Sequence, residues 1–172
     1  MKIFLMLIFV TNLSLAGDIY INRIKLNDNE IYALQATYGH VEPGRYWYDS
    51  VAGLWGYENG PTQGKAQANV YFRGKLPADI SGRGTSIFIN GREIHYIEKQ
   101  YLESIYGLGN VKTGRYWVNH LGVGGYEGGN AFFNIPQLTN NTQFSPFSTR
   151  DLTGGKVVGN GYIGSNGEGA TW

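Results

Sequence analysis

The chain has 172 residues, 14 of them lysine or arginine and 13 aspartate or glutamate, so its net charge is +1 at pH 7. A balance so close to zero gives no indication of a basic surface for nucleic acid or anionic lipid. The chain has no cysteine, which excludes disulfides and thiolate chemistry, and its 26 glycines with 15% aromatic residues favour tight turns and aromatic packing.

The first sixteen residues have the pattern of a secretory signal peptide. Lys2 gives a short basic start, residues 3–10 are an unbroken apolar run, and Ser14 and Ala16 are small residues at the two cleavage-recognition positions. The apolar run is shorter than the about 20 residues that a spanning helix needs, so no transmembrane segment is predicted after cleavage. Small secreted eukaryotic domains commonly rely on disulfides. A cysteine-free exported chain therefore indicates a bacterial protein of the periplasm or the extracellular space.

An internal duplication with a spacing of about 70 residues organises the rest of the chain. The sequence GRYW of residues 44–47 recurs at 114–117, and GYE of residues 56–58 recurs at 125–127. Each copy reads as strand, turn and strand, with aromatic residues on both sides of a polar loop. We therefore predict one structural unit that is used twice.

Two short hairpins are predicted ahead of two short helices. Residues 86–96 form a hairpin around Asn90-Gly91, because Asn-Gly is a strong signal for a type I′ turn. Its counterpart is residues 18–31, with a turn at residues 27–29. The helices that follow span residues 30–38 and 97–106, with Gly39 and Gly107 where C-cap glycines are expected.

Each helix is followed by an aromatic hairpin. We expect tyrosine to cover the bare strand glycine opposite it, and arginine to stack on tyrosine across the strands. The predicted cross-strand pairs are Arg45 with Tyr57, Tyr46 with Gly56 and Trp47 with Trp55 in the first copy, and Arg115 with Tyr126 and Tyr116 with Gly125 in the second.

A further strand is predicted after each aromatic hairpin, at residues 68–72 and 131–135, and residues 75–84 join the two copies. Antiparallel pairing should dominate, because the links other than the helices are short. The predicted fold is α+β, with two pseudo-symmetric copies of hairpin, short helix and aromatic hairpin. The predicted organisation is a signal peptide (1–16) and a single domain (17–172) made of two repeats (about 17–74 and 85–135) plus a glycine-rich C-terminal extension (136–172).

The aromatic hairpins are the main candidates for binding. Tyrosine and tryptophan on an exposed sheet face suit stacking on sugar rings or docking against another protein. Alternation along a strand puts Tyr46 and Trp47 on opposite faces, so Trp47 and Trp117 could equally belong to the core. The candidate binding residues are Arg45, Tyr46, Trp47, Trp55, Tyr57, Arg115, Tyr116, Trp117 and Tyr126.

Catalytic chemistry has fewer candidates. Glu58 and Glu127 could form an acid–base pair for glycoside hydrolysis, or each could form a plain ion pair with Arg45 or Arg115. His120 on a hairpin loop could act as a general base. The three histidines lack metal-binding spacing, and no P-loop or nucleophile-elbow motif occurs, so no cofactor or metal is predicted.

The duplicated GRYW…GYEGG unit resembles a group of uncharacterised exported bacterial proteins, a resemblance that implies no activity. The run of residues 47–56 is also similar to the cell-wall-binding repeats of choline-binding proteins. Export, the near-neutral charge and an aromatic unit that is present twice predict a non-enzymatic binding or assembly module of the bacterial cell envelope. It would contact glycan or a protein partner through its aromatic hairpins, and no nucleic acid. The alternative is a cell-envelope hydrolase that uses Glu58, Glu127 or His120.

Overall fold

The computed structural model describes residues 17–135, and these fold into two similar halves of five strands and one helix each. The first half contains β1 (Ile19–Ile21), β2 (Ile24–Lys25), α1 (Asp28–Tyr38), β3 (Gly44–Asp49), β4 (Leu54–Tyr57) and β5 (Thr62–Lys65). The second contains β6 (Ile87–Ile89), β7 (Arg92–Glu93), α2 (Tyr96–Tyr106), β8 (Gly114–Val118), β9 (Val123–Tyr126) and β10 (Ala131–Asn134). The predicted α+β fold with two pseudo-symmetric copies is confirmed. The predicted signal peptide (1–16) and glycine-rich extension (136–172) lie outside the described residues.

Each half forms one five-stranded sheet with the same topology. The strand orders are β2-β1-β3-β4-β5 and β10-β9-β8-β6-β7. β1 pairs with β3, and β6 with β8, in parallel, because a helix carries the chain back between these strands. The other pairs are antiparallel, as predicted.

An asparagine in left-handed conformation turns the first hairpin of each half. Asn22 and Asn90 both have φ of 51°, a region that asparagine tolerates better than most residues. The side chain of Asn22 accepts from Tyr48 N at 2.9 Å and donates to Tyr48 O at 3.0 Å. Asn90 makes the same two bonds to Val118. The turn of the first hairpin is therefore at Asn22, and its predicted position at residues 27–29 is wrong.

Residues 27–29 instead start α1. Asn27 and Glu30 exchange side-chain and backbone hydrogen bonds in a capping box, which satisfies the free N–H groups of the first turn. His95 and Glu98 form the corresponding box of α2. Both helices therefore begin slightly earlier than predicted, and both end before a glycine, as predicted.

The aromatic hairpins pair one residue out of the predicted register. Asp49 accepts from Val51 N and Ala52 N with its side chain, while Gly53 N donates to Asp49 O. These bonds close a four-residue loop and make Asp49 and Leu54 the last pair. The observed pairs are Tyr46 with Tyr57, Trp47 with Gly56 and Tyr48 with Trp55 in the first half, and Tyr116 with Tyr126, Trp117 with Gly125 and Val118 with Gly124 in the second.

The observed register also shows that the prediction of tyrosine covering the strand glycine is wrong. A Cβ at Gly56 would lie 2.7 Å from the Trp47 ring, so tryptophan rather than Tyr46 covers the glycine. Tyr46 instead packs against Tyr57, with ring centroids 5.3 Å apart. The predicted pairings of Arg45 with Tyr57 and of Trp47 with Trp55, and their counterparts in the second copy, are wrong by one residue.

The strand predicted at residues 68–72 is also wrong. The last strand of the first half is β5, and its counterpart β10 was predicted correctly. Asn69 has φ of 63°, which interrupts extended backbone. The segment instead folds back onto the sheet, where Val70 N donates to the Tyr48 hydroxyl and Phe72 contacts the Tyr48 ring edge-on at 5.2 Å.

Two hydrophobic clusters hold the fold together. One lies between the first sheet and α1 and includes Ile21, Leu34 and Trp55. The other lies between the second sheet and α2, and it continues onto the first half through Trp47 and Leu54. The second cluster therefore fixes the two halves against each other.

Candidate functional site

The aromatic residues predicted to bind a ligand are divided between the two faces of each sheet. We call the face toward the sheet's own helix the inner face, and the opposite one the outer face. Tyr46 and Trp55 lie on the inner face of the first sheet and are buried. Trp47 lies on the outer face and is 0% exposed. In the first half, a partner could therefore reach only Arg45 and Tyr57 among the candidates.

The outer face of the first sheet is covered by the second half. The guanidinium of Arg92 lies 4.0 Å from the centroid of the Trp47 ring and donates to both carboxylate oxygens of Glu98 at 2.8 Å. Arg92 also donates to Ser81 Oγ at 2.7 Å, and Thr62 Oγ1 donates to Glu98 at 2.7 Å. Residues from both halves and from the joint thus form one buried polar cluster.

This cluster keeps a carboxylate charged inside the protein. Burial raises the pKa of the Glu98 carboxyl, but the charge and hydrogen bonds of Arg92, together with the bonds from His95 N and Thr62 Oγ1, outweigh burial and hold that pKa below its ordinary value. Sequence reasoning missed the pair, whose one local signal was the glutamate at the third helical position after His95. The cluster is structural, because Arg92 is 1% and Glu98 2% exposed.

The two glutamates considered for catalysis are bound to arginine. Arg45 Nε donates to Glu58, and Arg115 Nε donates to Glu127. Glu58 also binds Arg23, with Nε and Oε1 3.0 Å apart. The plain ion-pair interpretation of both glutamates is confirmed.

In both halves an aromatic residue lies opposite a glycine on the last two strands, but the two residues have exchanged strands. Trp55 on β4 lies opposite Gly64 on β5, whereas Gly124 on β9 lies opposite Phe133 on β10. A Cβ at Gly64 would lie 2.7 Å from Trp55 Nε1, and one at Gly124 would collide with the Phe133 ring. The second half therefore has a phenyl ring from β10 where the first half has an indole from β4.

A cleft of about 390 Å³ lies between the inner face of the second sheet and α2. Its wall is aromatic: the rings of Tyr116 and Tyr126 stack with centroids 5.0 Å apart, and Phe132 lies 4.9 Å from Tyr126. Tyr126 is 50% and Phe132 59% exposed. Val111 also lines the cleft, although its counterpart Val41 in the first half is buried. Of the predicted binding residues, the structure brings Tyr116 and Tyr126 together here.

Hydrogen bonds fix the shape of this cleft. The Tyr116 hydroxyl donates to Lys112 O at 2.8 Å, and the Tyr106 hydroxyl donates to Asn134 O at 2.6 Å. Asn110 Nδ2 donates to Tyr106 O at 2.7 Å. These bonds hold the ring faces in place without a ligand, as expected of a preformed site.

Other candidate chemistry is sparse among the described residues. Within residues 17–135, no group of three or more acidic or histidine side chains could hold a metal ion. The carbonyl of His120 accepts from Lys65 Nζ. Neither helix in this part of the chain has the length and apolar character that crossing a bilayer requires.

Comparison with known proteins finds two plant relatives. The chain is 33% identical over 116 residues to Extra-large guanine nucleotide-binding protein 1 of Arabidopsis thaliana, which is 66% of this chain and 13% of that protein. It is 37% identical over 79 residues to Extra-large guanine nucleotide-binding protein 2 of the same plant, which is 44% of this chain and 9% of that protein. The chain thus spans only a small part of these curated relatives. No protein-family model and no solved structure matches it.

These similarities overturn the bacterial interpretation. Both relatives are plant proteins named for guanine nucleotide binding, so the resemblance to uncharacterised exported bacterial proteins does not identify the chain. Three predictions that depended on the bacterial interpretation are therefore also wrong. These are the cell-envelope module with a glycan ligand, the hydrolase alternative, and the location in a periplasm or outside the cell. The prediction failed because a short apolar start and an absence of cysteine are compositional signals, which carry no information about the family.

Proposed function

We propose that the chain is a protein-recognition module used in guanine-nucleotide signalling, and that its cleft beside α2 binds an aromatic side chain of a partner protein. The signalling context rests on the similarity to the two extra-large guanine nucleotide-binding proteins. The binding mode rests on the cleft, which has the volume and apolar aromatic lining of a small recognition pocket.

The single observation that carries the proposal is the difference between the two halves at Trp55. In the first half its indole fills the space beside Tyr46 and Tyr57, with ring centroids 6.2 Å and 6.1 Å away. The counterparts of these tyrosines, Tyr116 and Tyr126, line the open cleft of the second half. The smaller phenyl ring of Phe133 takes the place of that indole, 6.1 Å from the Tyr116 ring, and the cleft beside these rings stays open. Its aromatic lining suits an aromatic anchor.

The energetics also favour an aromatic anchor. Buried aromatic side chains dominate protein interfaces because they bring a large apolar area with few rotatable bonds. The hydroxyls of Tyr116 and Tyr106 are held by bonds to Lys112 O and Asn134 O, so binding has to order little of these two side chains. Lys112 and Asn110 at the rim can contact the backbone of the bound segment.

N-acetyl-tryptophanamide is the probe for this site, followed by NMR on the full chain. We expect saturable shifts of the methyl groups of Ile87 and Ile135, which line the cleft, with a dissociation constant on the order of millimolar for so small a ligand. Tyr126→Ala should weaken binding at least tenfold because it removes one wall. Its matched control is Tyr57→Ala, the equivalent change in the first half, which should leave binding unchanged.

Three results would overturn the proposal. Equal binding by the Tyr126→Ala variant would place the probe elsewhere. Tighter binding of guanosine diphosphate than of the indole probe at the same methyl groups would make the cleft a nucleotide site. Contacts in the free protein between the cleft and the chain's own residues beyond 135 would make it part of the core.

A further inference from the structure

The outer face of the second sheet presents a tryptophan in the same setting as Trp47. Trp117 Nε1 donates to Gly129 O at 3.0 Å, as Trp47 Nε1 donates to Gly60 O at 3.2 Å. Each indole lies over the glycine opposite it on the neighbouring strand. The orientation of Trp117 is therefore fixed by the protein itself.

What covers the two rings differs. Trp47 is fully buried beneath the guanidinium of Arg92, which the second half supplies. Trp117 is partly exposed, and within residues 17–135 no guanidinium lies over its ring. In the first half an arginine thus stacks on the tryptophan, whereas in the described part of the second half the equivalent tryptophan has no stacked arginine.

Among the residues that the structure describes, the second half also lacks the counterpart of a second charge contact. Glu58 binds both Arg45 and Arg23. Its counterpart Glu127 binds Arg115, and its side chain is 54% exposed. Glu127 directly follows β9, and its N–H donates to Arg115 O at 2.9 Å, so the extended pairing continues by one residue. Glu127 is two residues from Gly125, and its carboxylate therefore lies on the same face as Trp117.

We propose that the outer face of β8 and β9 binds an arginine side chain of a partner protein. The guanidinium stacks on Trp117 and pairs with the exposed carboxylate of Glu127. A planar, weakly hydrated guanidinium suits an indole face better than the compact ammonium of lysine does. The contact copies the one that Arg92 makes with Trp47 and lies on the opposite side of the sheet from the cleft.

A peptide with the sequence of residues 86–98 tests this site, because it carries Arg92 in its native sequence context. Titrated into the full chain, it should shift the indole N–H signal of Trp117. Replacing the peptide's arginine with lysine should weaken binding at least fivefold. In the protein, Trp117→Phe and Glu127→Gln should each weaken it severalfold, and added salt should weaken it further because Glu127 is exposed.

The control separates this surface from the cleft. Tyr126→Ala, expected to weaken binding of the indole probe at least tenfold, should leave binding of the arginine peptide unchanged. Equal binding of the lysine peptide would overturn the proposal, as would unchanged binding by both the Trp117→Phe and Glu127→Gln variants. A Trp117 indole signal that does not move at saturation would overturn it as well.

Discussion

Arg92→Ala is expected to lower the free energy of unfolding by about 3–5 kcal/mol, the cost of breaking a buried ion pair by removing one partner. The change leaves the Glu98 carboxylate buried without its two bonds from Arg92. It also opens a space beside Trp47, where the guanidinium now lies 4.0 Å from the ring centroid. Because Trp47 and Thr62 of the first half contact this pair of the second half, the loss should affect the whole described fold.

Urea denaturation of wild type and variant measures this loss. The matched control is Arg115→Ala, which breaks the exposed pair with Glu127 and should leave the midpoint nearly unchanged. If the free energy of unfolding fell equally in both variants, the buried cluster would not be what holds the two halves together.

The same pair sets a dependence of stability on pH. The folded pKa of Glu98 lies below the ordinary value of 4.5, so the unfolded chain takes up its proton at a higher pH than the folded one. The stabilisation is therefore fully present above the unfolded pKa and is lost as the pH falls toward the folded pKa. The Arg92→Ala variant should lack this contribution, so its stability should fall less steeply over the same acidic range.

Trp47→Ala and Trp117→Ala are expected to differ widely in cost although they replace equivalent residues. Trp47 is 0% exposed, and its removal should cost about 3–5 kcal/mol, as for other buried aromatic residues. Trp117 is partly exposed, and its removal should cost less than about half of that, since less apolar area is lost.

Thermal and urea unfolding of the two variants check this comparison. The hydrogen bond of each indole to its glycine carbonyl is lost in both, so that contribution largely cancels. Equal destabilisation would mean that the Trp117 face is already covered in the full chain. That result would also remove the basis for the arginine site.

The duplication and the order of elements could be predicted because they depend on local patterns. Helix ends follow from Gly39 and Gly107, and the second hairpin follows from Asn90-Gly91. The hairpin register could not be predicted in this way. In the first half it depends on the Asp49 side chain, which accepts hydrogen bonds from two backbone N–H groups of the loop. The observed pairs of this hairpin differ from the predicted ones by one residue.

The candidate site depended on contacts between distant residues. Repetition of GRYW predicted two equivalent aromatic surfaces, but Arg92 covers one tryptophan and not the other. The cleft is lined by a phenyl ring from β10, whereas the first half has an indole from β4 at the same place, because an aromatic residue and a glycine exchange strands at Trp55 and Gly124. That exchange becomes visible only once the pairing of β5 and β10 is known.

The double variant Gly124→Trp/Phe133→Gly gives the most direct measurement of the central claim. It builds the pair of Trp55 and Gly64 into the second half and removes the collision with the Phe133 ring, although the Trp117 carbonyl, 2.6 Å from a Cβ at Gly124, has to move. The cleft should become smaller, because an indole replaces the phenyl ring of Phe133. We expect a folded protein with an unchanged far-UV circular dichroism spectrum. Its affinity for N-acetyl-tryptophanamide should be at least tenfold weaker than that of the wild type. A folded double variant that binds the probe as well as the wild type would contradict the account.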